Sequence, residues 1–437
     1  LIPVYLHDSF QSDPFFWGIK TIFTIHNLKF QGTWSVDTIK GFSGLSDYYF
    51  TSDKLEAYGN GNLLKGGLVY ADRITTVSRS YASEIRMPFY GEGLDGLLRA
   101  RSKQLSGIVN GIDYNVYNPK TDKDIAVNYS VEDAIKAKAA NKTALQKELG
   151  LEENPDAFML GIVSRLTDQK GLDLVECVLD QICAEDVQLV VLGTGEGKYQ
   201  DMFTYYSRKY PERVSANIFY SEALSHRIYA SCDAFLMPSL FEPCGLSQLM
   251  SLRYGTLPIV RETGGLRDTV TPYNEVDGTG TGFSFTNYNA HEMLAIIRYA
   301  KKTYFNDRKA WNEMVLRAMK QDFSWDASAR EYEKLYDGLI EEEERRKEAI
   351  RLQQAREAAE AALKEAEKAL ELAKRAEEKA IRKFSGIEDE PEDEKAEISK
   401  AEEIDETPEA APESEEVTEV LETPETPEEA SETAVEE

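Results

Sequence analysis

The chain has 437 residues, and 42% of them are hydrophobic, which is enough for two or three domains with apolar cores. Its formal net charge of −28 is uneven, because 23 acidic residues and only two lysines lie from Ser385 onward. The remainder is mildly acidic and has no block of lysines and arginines of the kind that nucleic acid binding needs. No apolar run reaches the roughly 18 residues of a membrane-spanning helix. We therefore expect neither nucleic acid nor a membrane as a partner.

The cysteines bear on the cellular compartment. Cys177, Cys183, Cys232 and Cys244 form no CxxC pair and no metal-type cluster with the four histidines. Cysteines without such an arrangement are typical of a reducing compartment. We therefore predict a cytoplasmic protein.

The first part of the chain predicts a parallel α/β unit. Its β-type runs alternate with helical stretches and fall at residues 21–26, 72–78 and 106–110. A turn-rich segment at 115–128 is followed by a helical run at 131–149, which Gly150 closes. This change predicts a domain boundary, and we assign residues 1–117 to a first domain.

Residues 118–328 predict a second α/β domain, of the Rossmann-like type, because strands and helices alternate strictly. The predicted strands are 158–163, 187–192, 214–219, 234–237 and 257–260. The predicted helices between them are 172–182, 199–209, 225–231 and 247–253. Later helices are expected at 291–305, 307–321 and 327–339, and residues 329–339 form the closing helix of the folded part.

The end of the chain changes character twice. Residues 340–384 are rich in Glu, Lys, Ala and Arg, which predicts a charged helix with a thin apolar stripe. Such a helix is either solvated on its own or part of a weak coiled coil. Residues 385–437 are rich in Glu, Pro, Thr and Ala and contain no aromatic residue, so we expect a disordered acidic tail.

Three charged side chains are predicted to meet at one edge of the second sheet. Arg165 and Lys170 follow the strand at 158–163, and Glu242 follows the strand at 234–237. The carboxyl ends of strands are where open α/β sheets bind ligands. Two cations there suit a diphosphate, and a carboxylate suits sugar hydroxyls or a developing positive charge. The alternative interpretation is an ordinary surface Arg and Lys at a turn and a solvated loop carboxylate.

These segments and four further motifs resemble bacterial glycogen synthase, the family that includes plant starch synthases. The site segments are Ser164-Arg165-Leu166-Thr167-Asp168-Gln169-Lys170-Gly171 and Phe241-Glu242-Pro243-Cys244-Gly245-Leu246. The further motifs are Thr24-Ile25-His26-Asn27-Leu28, Lys65-Gly66-Gly67-Leu68, Val109-Asn110-Gly111-Ile112-Asp113 and Thr263-Gly264-Gly265-Leu266. The resemblance runs from the first residue to about Leu339 and implies two Rossmann-like domains that face a cleft, the GT-B fold.

The resemblance also implies an activity and a set of roles. Glucose would pass from ADP-glucose to the non-reducing end of an α-1,4-glucan, with retention of configuration and without a metal or other cofactor. Arg165 and Lys170 would bind the distal phosphate, Glu242 would contact the transferred glucose, and His26 and Asn110 would complete the pocket. The other nucleotide-sugar-binding residues would be Gly193, Thr194, Gly195, Cys244, Gly245, Leu246, Thr263, Gly264, Gly265 and the adenine-stacking Tyr220.

The chain departs from the family pattern at its start. The family's donor loop, Lys-x-Gly-Gly-Leu, has no counterpart here, because Lys65-Gly66-Gly67-Leu68 matches a later internal stretch. Residues 1–6 match the helix that follows the donor-loop half of the first domain. We therefore expect an incomplete first domain with an unpaired sheet edge, and a chain with poor activity.

Two other functions stay open at this point. One is a different transferase of the same two-domain fold that uses UDP-glucose or another acceptor, although the Phe-Glu-Pro-Cys-Gly and Ile-His-Asn segments argue against it. The other is a non-catalytic protein that binds a glucan or a partner through its long helix and acidic tail. The presence of Arg165, Lys170 and Glu242 together argues against this second alternative. No feature of the sequence identifies a protein partner for the tail.

Overall fold

The computed structural model describes residues 1–386. Residues 387–437, which make up most of the predicted acidic tail, lie outside the described part. Among residues 1–386, no helix combines the length and the apolar character that crossing a membrane requires. A compact unit extends over Leu1–Glu348, and a second unit begins at Ala349.

The first 110 residues form two small sheets. Their strands are β1 (Ile22–Ile25), β2 (Thr33–Trp34), β3 (Glu56–Ala57), β4 (Asn60–Asn62), β5 (Arg73–Thr76) and β6 (Leu105–Gly107). Strands β1, β5 and β6 form a parallel sheet, as the three apolar runs predict, and their order in it is β1-β5-β6. The antiparallel sheet β2-β4-β3 is not predicted by the sequence, because strands of two or three residues are too short to show a periodic pattern.

Five helices accompany these strands: α1 (Ile2–His7), α2 (Val36–Ser43), α3 (Leu63–Tyr70), α4 (Arg79–Glu84) and α5 (Asp95–Ala100). Helix α4 follows β5 directly, and Ser78 caps it by accepting a hydrogen bond from the backbone of Tyr81. The side chains of Ile25, Leu68 and Ile74 are buried between the sheet and its helices. This packing holds the start of α4 close to the carboxyl end of β5.

The second sheet contains six parallel strands. They are β7 (Phe158–Val163), β8 (Val187–Leu192), β9 (Val214–Asn217), β10 (Ala234–Met237), β11 (Leu257–Arg261) and β12 (Phe283–Phe285), in the order β12-β11-β10-β7-β8-β9. Strands β8 and β9 are added on one side of β7, and β10, β11 and β12 are added on its other side. The strand order therefore reverses at β7. Ligands bind at the carboxyl ends of strands at such a switch point. The loops after β7 and β10 are therefore the expected place for a site.

The helices of the second domain confirm the predicted alternation. They are α6 (Ala134–Leu149), α7 (Leu172–Ala184), α8 (Gly197–Lys209), α9 (Glu222–Ser231), α10 (Ser247–Arg253), α11 (Gly264–Thr269), α12 (Ala290–Asn306) and α13 (Arg308–Met319). The bounds of β7, β8, β10 and α10 coincide with the predicted ones. These strands are short continuous apolar runs with nearly every side chain buried, which is why the pattern locates them well.

The last helix differs from the prediction. Helix α14 (Trp325–Phe384) is continuous, so no boundary separates a closing helix at 329–339 from a charged helix at 340–384. No proline interrupts this stretch, and Glu, Lys, Ala and Arg all favour helix. Near its start, Ser328 donates a hydrogen bond of 2.7 Å to the carbonyl oxygen of Val109, which joins the helix to the first domain.

A buried lysine joins α6 to α9 in the second domain. The Nζ atom of Lys138 lies 3.3, 3.1 and 3.2 Å from the carbonyl oxygens of Tyr229, Ala230 and Tyr254 and 2.7 Å from Oγ1 of Thr256, so its three N–H groups are shared among four acceptors. Tyr229 and Ala230 lie in the last turn of α9, where carbonyl groups lack intrahelical donors and a cation is favoured. The lysine thus satisfies several buried acceptors at once.

Replacing Lys138 by Met is expected to lower the free energy of unfolding by about 3–5 kcal/mol, because the buried acceptors lose their donor while the volume stays similar. Urea denaturation of the full chain measures this change. Lys136→Met, at an exposed position of the same helix, is the control and should change stability by less than about 0.5 kcal/mol. Equal stability of the two variants would contradict the role given to Lys138.

Candidate active site

The loops after β7 and β10 meet at the switch point of the second sheet. The Nζ atom of Lys170 lies 2.6 Å from Oε2 of Glu242, and Ser239 donates a hydrogen bond of 3.0 Å to the same oxygen. The backbone N–H of Leu240 donates to the carbonyl oxygen of Gln169 at 2.9 Å, so the two loops are also joined through their main chains. The structure thus brings together the lysine and the carboxylate that the sequence predicts to be neighbours.

This ion pair is largely shielded from water. The side chain of Glu242 is 7% exposed and that of Lys170 is 16% exposed. A buried carboxylate needs a cation and hydrogen-bond donors close to it, and Lys170 and Ser239 supply them. Arg165, by contrast, is exposed at the start of the same loop. The site therefore combines a held pair of opposite charges with a second cation that is accessible to a ligand.

The glycines of Gly193-Thr194-Gly195 are required by close packing. A Cβ atom on Gly193 would collide with the carbonyl oxygen of Ser164, and one on Gly195 would collide with that of Leu166. Gly195 and Leu166 also form an isolated parallel β-bridge. The loop after β8 is thus fastened to the loop after β7, on either side of Arg165.

The Thr263-Gly264-Gly265 turn packs against the loop that carries Glu242. The N–H of Gly265 donates to the carbonyl oxygen of Glu242 at 3.0 Å, and a Cβ on Gly265 would collide with the carbonyl oxygen of Cys244. The N–H of Gly264 donates to the carboxylate of Glu84 at 2.9 Å. Both N–H groups therefore have protein acceptors, and close packing explains why these two positions are glycine.

Four further residues near the site were not identified from the sequence. Glu84 accepts hydrogen bonds from Gly264, and Ser78 donates to the carbonyl oxygen of Pro243 at 2.5 Å. Ser239 binds the Glu242 carboxylate, and the guanidinium of Arg261 donates to the carbonyl oxygen of Leu240 at 2.9 Å, with the side chains of both residues buried. Ser78 and Glu84 come from the first domain, so their contacts join sequence positions 160 to 180 residues apart. No local pattern signals such contacts.

The predicted residues of the first domain lie at the carboxyl end of its sheet. His26 and Asn27 follow β1, and the next backbone N–H, that of Leu28, donates to the hydroxyl of Tyr81 at 3.1 Å. Burial raises the pKa of Tyr81 to about 12, and the negative charge of Glu242 is among the groups that raise it further. The segment that carries His26 is therefore connected, through Tyr81, to the neighbourhood of Glu242.

Asn110 and Cys244 are neighbours across the two domains. The backbone of Asn110 hydrogen-bonds with the thiol of Cys244. Burial nevertheless raises the pKa of this thiol to about 12, so Cys244 is protonated at neutral pH and is a poor nucleophile. This environment fits a structural role for Cys244.

Tyr220 lies just beyond β9 and is 86% exposed, next to the half-exposed Phe219. The ring of Tyr220 is therefore available for stacking at the carboxyl edge of a Rossmann-like sheet, where nucleotides bind. Stacking on adenine stays a prediction.

One group of potential metal ligands occurs among the described residues, away from these loops. It contains Asp122, Asp124 and His226. Oδ2 of Asp122 lies 2.7 Å from Nδ1 of His226 and also accepts a hydrogen bond from the hydroxyl of Tyr254. These contacts connect the segment before α6, which contains Asp122, to α9, which contains His226.

Comparisons with known proteins agree along most of the chain. Residues 1–100 match the family model described as starch synthase catalytic domain, and residues 143–315 match that of glycosyl transferases group 1. The glycogen synthase of Lachnospira eligens is 68% identical over 339 residues, which are 78% of this chain and 71% of that protein. The chain belongs to the glycogen synthase family. The glycogen synthase of Clostridium acetobutylicum is 52% identical over 340 residues, with the same two coverages.

A solved structure supports the same family and fold. The catalytic domain of starch synthase IV from Arabidopsis thaliana, bound to ADP and acarbose, is 33% identical, with a TM-score of 0.73. The similarity covers 78% of this chain and 71% of that one. This member of the glycogen synthase family is therefore a glycosyltransferase with the GT-B fold, as predicted, and the non-catalytic alternative is wrong.

Proposed function

We propose that the site at the switch point transfers glucose from ADP-glucose to the non-reducing end of an α-1,4-glucan, with retention of configuration. The observation that carries this proposal is the shielded pair of Lys170 and Glu242, with the exposed Arg165 at the start of the loop that carries Lys170. A diphosphate leaving group needs cations that are in place before the reaction, and a sugar ring needs a fixed acceptor for its hydroxyls. The pair provides both within one small region.

In this proposal each residue has a separate task. Arg165 and Lys170 neutralise the charge that develops on the departing diphosphate. Glu242 orients the glucosyl ring, because Ser239 and Lys170 hold its carboxylate in one position. His26 and Asn110 complete the pocket from the first domain. No step is assigned to a metal or another cofactor.

Two observations support ADP-glucose as the glucosyl donor. Starch synthase IV of Arabidopsis, which shares the fold and a third of the aligned residues, was solved with ADP. Tyr220 presents a free ring at the nucleotide edge of the second sheet. We place the activity in the cytoplasm, since all four cysteines are free and none lies in a disulfide.

A comparison of nucleotide-sugar donors with the protein tests this function. Incorporation of labelled glucose into glycogen is expected to show a kcat/KM for ADP-glucose at least about 10-fold above that for UDP-glucose. Tyr220→Ala should weaken ADP binding about 5-fold or more, because stacking of one base contributes about 1–3 kcal/mol. Tyr205→Ala, at another exposed tyrosine, is the control and should leave ADP binding unchanged. A preference for UDP-glucose would overturn the proposed donor.

A further inference from the structure

The part of α14 beyond Glu348 has one face without charges. When the helix is divided into heptads, the a and d positions from residue 352 to 380 contain no charged residue. They are Leu352, Ala355, Ala359, Ala362, Ala366, Ala369, Ala373, Ala376 and Ala380. The f positions, on the opposite face, are all charged between 357 and 378. A helix that is solvated on all sides has no reason to keep its charges off one seam through four heptads.

Large apolar side chains flank this seam and are exposed. Leu363 and Leu370 occupy e positions and are 61% and 57% exposed, and Leu372 occupies a g position. Together with the alanines they form an apolar face about 45 Å long. Small residues at a and d let two helix backbones approach closely, and the flanking leucines then cover the contact. The face therefore suits another helix with the same pattern.

We infer that this face binds the same face of a second copy of the chain, in an antiparallel two-helix contact. The charge distribution along the helix supports this orientation. Residues 352–367 carry four glutamates and two cations, whereas residues 368–384 carry six cations and three glutamates. An antiparallel arrangement places the acidic half of each helix beside the basic half of the other. It also makes the two helix dipoles point in opposite directions, which is favourable.

The flanking positions match in the same orientation. If Ala366 of one copy lies opposite Ala369 of the second, the two uncharged seams overlap along their whole length. The e positions then place Leu363 against Leu370 and Arg356 against Glu377, twice each by symmetry. In a parallel pair, Arg356 would instead face Arg351 of the second copy. The antiparallel arrangement is therefore the one without like-charge contacts.

Sedimentation equilibrium of the full chain tests the association. A mass near twice the 49.3 kDa of one chain is expected. Arg356→Glu should raise the dimer dissociation constant about 10-fold or more, since it creates two contacts between glutamates, and Arg356→Glu combined with Glu377→Arg should restore it. Leu363→Glu with Leu370→Glu should give a monomer that keeps its helical circular dichroism. A monomeric parent chain, or a dimer that these variants do not affect, would overturn the inference.

Spin labels test the orientation. With Cys177→Ser to remove the exposed native thiol, a label at Ser385→Cys should lie about 50 Å from its counterpart in the antiparallel dimer, at a rise of about 1.5 Å per residue. A parallel dimer would place the two labels within about 20 Å of each other, since packed helices lie about 8–10 Å apart. The shorter distance would rule out the antiparallel contact.

Discussion

Glu242→Gln is expected to lower the kcat of the enzyme about 100-fold or more, while the KM for ADP-glucose changes far less. The carboxylate is 7% exposed and is held by Lys170 at 2.6 Å and by Ser239 at 3.0 Å. A group fixed in this way acts on the charge that develops in the transition state, and its loss therefore affects kcat more than ground-state binding. Steady-state kinetics of glucose incorporation into glycogen measure both constants.

Glu262→Gln provides the control for this experiment. Glu262 is half-buried, and it accepts a hydrogen bond of 2.7 Å from Ser284, outside the pair of Lys170 and Glu242. It should keep kcat within about 3-fold of the parent, because the change is a single uncharged replacement away from the pair. A near-normal kcat for Glu242→Gln would return Glu242 to the role of an ordinary loop carboxylate.

Lys170→Ala is expected to weaken the binding of ADP about 10-fold or more. A charge-assisted contact with phosphate contributes about 1.5–3 kcal/mol, and the ammonium is already held beside the site. Titration calorimetry of the parent chain and the variant measures the change. Thermal unfolding of both is needed as well, because the variant leaves the Glu242 carboxylate without its cation.

Lys198→Ala is the matched control for Lys170→Ala. Lys198 is half-exposed and lies 2.5 Å from Asp168 on the same loop, so its removal also takes one cation from this region. General loss of positive charge would weaken ADP binding equally in the two variants. Equal affinities of the parent and Lys170→Ala for ADP would refute the phosphate role of Lys170.

The second domain was largely predictable from the sequence. Strands β7, β8 and β10 begin and end where their apolar runs do, because buried strands of a parallel sheet are apolar on both faces. The neighbourhood of Lys170 and Glu242 was predictable for a related reason. Both residues follow strands of one parallel sheet, and the carboxyl ends of such strands share an edge.

Other features of the site were not predictable. The contacts of the Thr263-Gly264-Gly265 turn are an example, because the N–H of Gly264 donates to the carboxylate of Glu84 and that of Gly265 donates to the carbonyl oxygen of Glu242. A glycine in a strand-to-helix turn has the same sequence pattern whether a ligand or another loop packs against it. Only the fold distinguishes the two.

The sequence by itself determined the α/β class and the succession of buried strands and helices along the chain. It also determined that Arg165, Lys170 and Glu242 follow the carboxyl ends of strands, because hydrophobic periodicity is a local property. The tertiary structure decided which groups surround these residues. Ser78 and Glu84, from the first domain, contact the loops of Pro243 and Gly264 in the second, more than 160 positions away along the chain. Such contacts depend on how two domains pack, and packing between distant segments leaves no periodic trace in either segment.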